Sequence, residues 1–212
     1  MHYAPPADSG LDLIYCDESL LVVNKPAGLL SVPGRGADKQ DCLSARVQKD
    51  FPDALVVHRL DMATSGLLVF ARGVEMQRRL SGMFRERSVT KRYVAVVAGT
   101  VQAEIGEVNL PIVADWLSRP LRRIDNQSGK PSQTFYRVLA RYVDSTRMEL
   151  TPITGRTHQL RVHMAAIGHP ILGDVLYGIP ASAPRLLLHA LSLSLPHPSG
   201  NSSLNFVCAP MF

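Results

Sequence analysis

One stretch concentrates the residue types that can do chemistry: HRLDMATSGLLVFAR, residues 58–72. It sets a single carboxylate, Asp61, between a basic pair, His58 and Arg59, and a small turn of Thr64, Ser65 and Gly66, then runs into apolar residues 67–70. A carboxylate near an arginine stays ionised, because the opposite charge favours its charged form. That suits a nucleophile or a base that must act unprotonated at neutral pH. Further arginines, Arg156 and Arg161, stand in a second dense stretch, TGRTHQLRVHMAAIGHPILGD (154–174). The plainer reading of Asp61 is an ion pair pinning a turn, and Thr64, Ser65 and Gly66 read as turn and cap residues. Other chemistries find little support. PGRGADKQ lacks both GxGxxG and a Walker lysine, His158 and His163 are not four apart, and no HExxH occurs, so no metal is expected.

The elements that must position these groups are legible in part. LDLIYC (11–16) and LLVVNKPAGLLSVPG (20–34) read as paired strands followed by a turn-rich loop. Leu43, Val47 and Phe51 recur at helical spacing behind a capping Asp41. Residues 74–89 predict an amphipathic helix with Met76, Leu80, Met83 and Phe84 inward, Arg78, Arg79, Arg85 and Arg87 outward, and an interruption at Gly82. KRYVAVVAG (91–99) predicts a strand; residues 100–132 form a basic excursion with little periodicity; 134–143 and 146–153 predict a hairpin. Thr154 precedes a helix carrying Leu160, His163 and Met164 on one side and stopping at Gly168, and two last strands turn at Pro198–Asn201. The expected class is α+β: one domain with a mixed, largely antiparallel sheet and flanking helices.

Composition narrows the partners. The 212 residues are 46% hydrophobic and 19% charged, the balance of a folded chain. Lys and Arg number 23 against 18 Asp and Glu, with a pI near 9.3, which favours an anionic partner such as nucleic acid. Cys16, Cys42 and Cys208 are too few and too scattered for a zinc cluster or a disulfide framework. No secretory signal and no membrane-length apolar run is visible, so a soluble cytoplasmic protein is expected, with residues 1–10 flexible.

Taken together the motifs are more specific. HRLDMATSGLLVFAR resembles the HRLD-x-x-TSG signature of the RluA family of pseudouridine synthases, and ITGRTHQLRVHMAAIGHPILGD resembles that family's second signature. KRYVAVV is similar to its tyrosine-bearing strand, RLLLHALSL to its third motif and NKPAGLLSVPG to its opening strand and turn. The resemblance spans about residues 11–210, and a catalytic domain over 11–212 without an S4-like RNA-binding domain is expected.

The resemblance implies a central RNA-binding cleft and an isomerase that breaks the bond from uracil N1 to ribose C1′ and rejoins the base through C5, with no cofactor. It assigns the essential aspartate to Asp61, either as a nucleophile toward the sugar or as the base for its 2′ proton. It assigns the base-stacking tyrosine to Tyr93, the arginine that pairs with the aspartate to Arg161 rather than Arg156, and packing against the flipped uracil to Leu187 or Leu188. A flipped uridine leaves a gap in the RNA stack that Arg59 or His58 could fill. Arg156, helix 74–89 and the excursion at Arg119, Arg122, Arg123 and Lys130 would meet phosphates. Short family members point to tRNA and 23S rRNA substrates, a uridine in the anticodon loop and one in an rRNA hairpin; a monomer is expected. Two rivals remain. A catalytically silent RNA-binding module would need neither Asp61 nor Tyr93. A glycosidase would want a second facing carboxylate, for which Glu149 is the nearest candidate and a poor one.

Overall fold

The computed structural model describes residues 3–179 and 181–212. The described chain forms two compact units, one running to Lys91 and including Ala190–Met211, the other comprising Arg92–His189 with Phe212.

In the first unit the opening apolar runs form β1 (Leu13–Cys16) and β2 (Leu20–Lys25), an antiparallel pair. Their turn is set by Asp17, whose carboxylate accepts the N–H groups of Ser19 and Leu20 at 2.7 and 2.8 Å. β2 continues antiparallel onto β4 (Ser65–Arg72), which also carries the short β3 (Ala54–Val56). Seven of the eight β4 residues are buried, so the apolar run after Asp61 is a central strand. Helix α1 (Leu43–Asp50) and helix α2 (Gly73–Arg85) flank this sheet, and β11 (Leu188–Pro196), whose first two residues belong to the second unit, forms the closing antiparallel pair with β12 (Ser203–Val207). Leu20, Val22, Leu67, Val69, Leu80 and Phe206 make the core, with Met76, Met83 and Phe84 of α2 packed on it. Burying each such side chain contributes about 1.5–3 kcal/mol.

The second unit is a four-stranded antiparallel sheet in the order β5 (Thr90–Ala98), β10 (Ser145–Pro152), β9 (Gln133–Arg141) and β6 (Ile105–Asn109). The first two residues of β5 belong to the first unit. A separate hairpin, β7 (Ile112–Ala114) with β8 (Arg122–Ile124), rises from the excursion, and α3 (Gln159–Ala166) follows the sheet. Arg147 donates to the Phe212 carbonyl, and the Arg147 and Arg185 guanidiniums lie over the Phe212 ring.

The class is therefore α+β, and every strand pairing described above is antiparallel. Two local expectations are corrected. Asp41 does not cap α1: Cys42 occupies that position without a side-chain bond, and Asp41 instead grips Arg46 through two contacts of 2.8 Å. Gly82 does not interrupt α2, which runs on to Arg85 because Leu80 and its neighbours bury the inner face. The excursion holds β6, β7 and β8, strands too short for periodicity to show. The expectation of a flexible start over residues 1–10 falls partly on Met1 and His2, outside the described residues. Within the rest, the buried Tyr3 donates to the Asp41 carbonyl and Arg46 reaches the Pro6 carbonyl.

Candidate active site

Asp61 sits in the turn that enters β4. The Thr64 N–H closes that turn on the Asp61 carbonyl at 3.0 Å. Its neighbours on both sides are pinned to the loop after β2. The Ser31 hydroxyl donates to the Leu60 carbonyl at 2.7 Å and accepts the Leu60 N–H at 3.1 Å, so both backbone groups of the preceding residue are held by one oxygen. The Met62 carbonyl accepts the Gly28 N–H at 2.9 Å and the Lys25 ammonium at 3.1 Å. The backbone that presents the carboxylate is thus held on both sides. Gly66, at φ +111°, lets β4 pass against the Ala190 backbone, where any side chain would collide.

Lys25 is fully buried beneath this turn and donates also to the Pro26 and Leu29 carbonyls at 2.8 and 2.7 Å. Three carbonyl acceptors call for three donors, which only the ammonium supplies. Burial pulls its pKa down to about 7, and the Asp61 carboxylate works in the opposite direction. Lys25 thus gives the turn both a tether and a positive charge.

His58 and Arg59 part company. The His58 Nε2 accepts the Val69 N–H at 2.9 Å, and the ring stacks on Phe84 at 4.4 Å between centroids. An acceptor nitrogen is unprotonated, in keeping with a pKa pushed down to about 3 by burial and by the Lys91 charge. The imidazole ties the motif to β4, whereas Arg59 is exposed.

The second unit holds the other expected site residues. Tyr93 lies on β5 opposite Leu150 of β10. Arg161, on α3, is buried and forms a two-pronged pair with Asp174, both contacts 2.7 Å. Burial works to raise the Asp174 pKa, yet the Arg161 guanidinium and the N–H groups of Leu176 and Tyr177 hold it below the usual range. The guanidinium also lies 5.2 Å from the Tyr177 ring centre, and the Tyr177 hydroxyl meets His158 Nδ1 at 2.7 Å. Leu188 is only 3% exposed, while Leu187 is partly exposed, with its N–H on Leu172 and its carbonyl accepting from Val96. Arg156 is exposed and reaches the Pro131 carbonyl at 3.3 Å.

An anchored carboxylate over a buried cation in one unit, and a strand tyrosine with a carboxylate-locked arginine in the other, occupy the motifs that carried the resemblance. The profile of the RNA pseudouridylate synthase family matches residues 19–166. The dual-specificity RNA pseudouridine synthase RluA of Escherichia coli K12 is 50% identical over 209 residues, 97% of this chain and 95% of that one. The chain belongs to the RluA family of RNA pseudouridine synthases. The RluA of Pasteurella multocida is 48% identical over 214 residues, 99% of this chain and 98% of its own. Among solved structures, human RNA pseudouridylate synthase domain containing 1 superposes with a TM-score of 0.81 at 30% identity, covering 98% of this chain and 86% of that one.

The synthase is an enzyme acting on RNA, and the silent-module reading falls away. Among the described residues no helix is long and apolar enough to cross a membrane. Sequence reasoning missed several groups that hold the candidate site: Lys25, Ser31, Asp174 and Tyr177. Lys25 and Ser31 lie inside the NKPAGLLSVPG stretch, and Asp174 closes the second signature, so a signal existed in their placement within the motifs.

Proposed function

We propose that the synthase isomerises a uridine in the tRNA anticodon loop and another in a large-subunit rRNA hairpin, with Asp61 as the catalytic carboxylate. The relatives named as dual-specificity enzymes match nearly the whole chain, which supports two RNA targets. The observation that carries the role of Asp61 is its presentation: both flanking residues are fixed to the loop after β2, and a buried ammonium lies beneath the turn. Such a carboxylate meets the sugar already oriented, as attack on C1′ or removal of the 2′ proton requires. In either route the N1 to C1′ bond breaks, the C5 to C1′ bond forms, and the C5 proton leaves while N1 gains one.

The remaining roles belong to the same reading. Tyr93 stacks on the target base and assists loss of the C5 proton, Arg161 favours the ionised carboxylate, and Leu187, the more exposed of the two leucines, packs on the uracil. Arg59, with its side chain in solvent, fills the vacated stack in preference to His58, whose ring is engaged. Flipping costs a few kcal/mol, least in a loop, which favours loop uridines as targets. Arg156 meets a phosphate. The enzyme works as a cytoplasmic monomer.

The deciding experiment incubates the purified protein with a transcribed anticodon stem-loop and, separately, with total rRNA, then maps pseudouridine by carbodiimide-dependent primer-extension stops. Stops at one loop uridine in each RNA, lost in Asp61→Asn with RNA binding retained, are expected. Stops that persist in Asp61→Asn would remove Asp61 from the chemistry, and stops in only one of the RNAs would remove dual specificity.

A further inference from the structure

The second unit contains a cleft of about 440 Å³ between the β7–β8 hairpin and residues 155–157. That volume lies within the roughly 300–1,000 Å³ of ordinary ligand sites. Hydrogen bonds tie its walls together. Ile112 exchanges both backbone hydrogen bonds with Lys130, Asp115 closes on the Leu121 carbonyl, and the Arg122 N–H is held by the Tyr177 hydroxyl at 2.8 Å.

The charge lining it has one sign. Arg122, Lys130 and Arg156 face the cleft, and no carboxylate does. The neighbouring Arg123 is already neutralised by Asp125 at 2.7 Å, but among the described residues neither Arg122 nor Lys130 has an acidic partner. Among the described residues the buried Arg122 Nε has no hydrogen-bond partner. Leaving a buried donor unsatisfied is unfavourable, and more so for a charged group, so an oxyanion reaching it makes a bond the folded protein lacks. At the mouth stands Trp116, 69% exposed, with the Arg119 guanidinium 3.8 Å from its ring centre. An indole held on one side by a cation and open to solvent is a stacking platform for a base.

We infer that this cleft is a second RNA subsite, which takes one nucleotide of the substrate other than the isomerised uridine, its phosphate on Arg122, Lys130 and Arg156 and its base against Trp116. The inference rests on RNA being the substrate and adds a fixed point of substrate recognition. A diffuse basic surface would spread phosphate contacts along the backbone. This cleft accepts one nucleotide in one place, and so selects RNAs that can extrude a residue there.

Trp116 is the single tryptophan of the chain, so its emission reports this cleft alone. The full-length protein is titrated with the anticodon stem-loop, with uridine monophosphate and with inorganic phosphate, while emission and pseudouridine formation are followed. The expected result is saturable quenching by the stem-loop at concentrations where inorganic phosphate has no effect. Arg122→Gln and Lys130→Gln are each expected to raise KM about tenfold, more than they lower kcat. Each should also reduce the salt dependence of RNA binding by about one unit of log–log slope. Arg122→Lys, which keeps the charge, should recover that slope. Lys130 makes no side-chain hydrogen bond or ion pair among the described residues, so Lys130→Gln carries the test if Arg122→Gln does not fold. Unchanged emission on RNA binding, or parental KM and slope in the glutamine variants, would overturn the subsite. Equal quenching by inorganic phosphate would reduce it to a small-anion site. Failure of the proposed function looks different: the parent protein would leave the stem-loop without pseudouridine.

Discussion

Ser31→Ala tests whether the clamp around Asp61 matters for catalysis. The substitution removes one oxygen and creates almost no cavity, so its effect is confined to the two hydrogen bonds with Leu60. Ser31 and Leu60 are 4% and 5% exposed, so water can replace the lost partner only in part. Each orphaned backbone group costs about 1–3 kcal/mol, which gives about 2–4 kcal/mol for the pair after partial hydration. At about 2–4 °C per kcal/mol for a chain of this size, the thermal midpoint should fall by roughly 4–16 °C. Catalysis should suffer separately. Leu60 adjoins Asp61, and a misplacement of about 1 Å can cost about a hundredfold in rate. Thermal unfolding by circular dichroism and single-turnover pseudouridine formation, both at temperatures where the variant is folded, measure the two effects. The expected outcome is a kcat lower by about ten- to a hundredfold with KM changed much less. A destabilised variant with parental kcat would refute the argument, because Asp61 would then need no clamp on its N-terminal side.

Further outcomes follow from single contacts. Gly66→Ala forces a Cβ into the Ala190 backbone at a φ of +111°, and should cost at least about 3 kcal/mol, or roughly 6–12 °C in the midpoint; an unchanged midpoint would mean β4 can shift freely. Asp174→Asn breaks a buried two-pronged pair and should cost about 3–5 kcal/mol by urea unfolding; under 1 kcal/mol would show that Arg161 finds other support. Asp17 has its pKa lowered to about 2: burial works to raise it, but bonds from His197, Tyr15, Leu20 and Ser19 outweigh burial. A depressed carboxylate contributes stability above its unfolded pKa of 3.8 and loses it as pH falls toward about 2, so Asp17→Asn should flatten the acid limb of stability against pH. Lys25 titrates in the opposite window. As pH rises through about 7 the folded ammonium gives up its proton, one of three carbonyls loses its donor and Asp61 loses a cation, so the single-turnover rate should decline. The stability term has the other sign, because between about 7 and 10.5 the unfolded chain holds the extra proton and this group favours folding as pH rises. Lys25→Met should abolish that limb of the rate profile, and an identical limb in the variant would assign it elsewhere.

What the sequence reveals, and what it hides, follows the range of the interactions. The pairing of β1 with β2, the inner face of α2 and the β9–β10 hairpin rest on period and turn residues within about twenty positions, and all were legible. The turn that carries Asp61 was legible too, because Thr64, Ser65 and Gly66 follow it directly in sequence. Lys25 was not. At the end of an apolar strand a lysine reads as the solvent-facing edge, and only the convergence of carbonyls from two loops, one of them 37 residues away, turns it into the buried cation under the turn. The same competition decided Asp41. Local rules favour a cap, but Arg46 is drawn to the carbonyls of Pro6 and Ala7 some forty residues earlier, and the carboxylate follows the guanidinium. His58 gives the converse case: beside Arg59 it looks like part of an RNA-facing pair, until a backbone N–H eleven residues on claims its lone pair. Groups that touch a substrate must project from the chain where their neighbours can be read, whereas groups that hold them are chosen for reach across the fold. Candidate site residues are therefore nominated by motif and supporting residues by geometry, and substitutions such as Ser31→Ala, Lys25→Met and Asp174→Asn probe the part that motif comparison cannot supply.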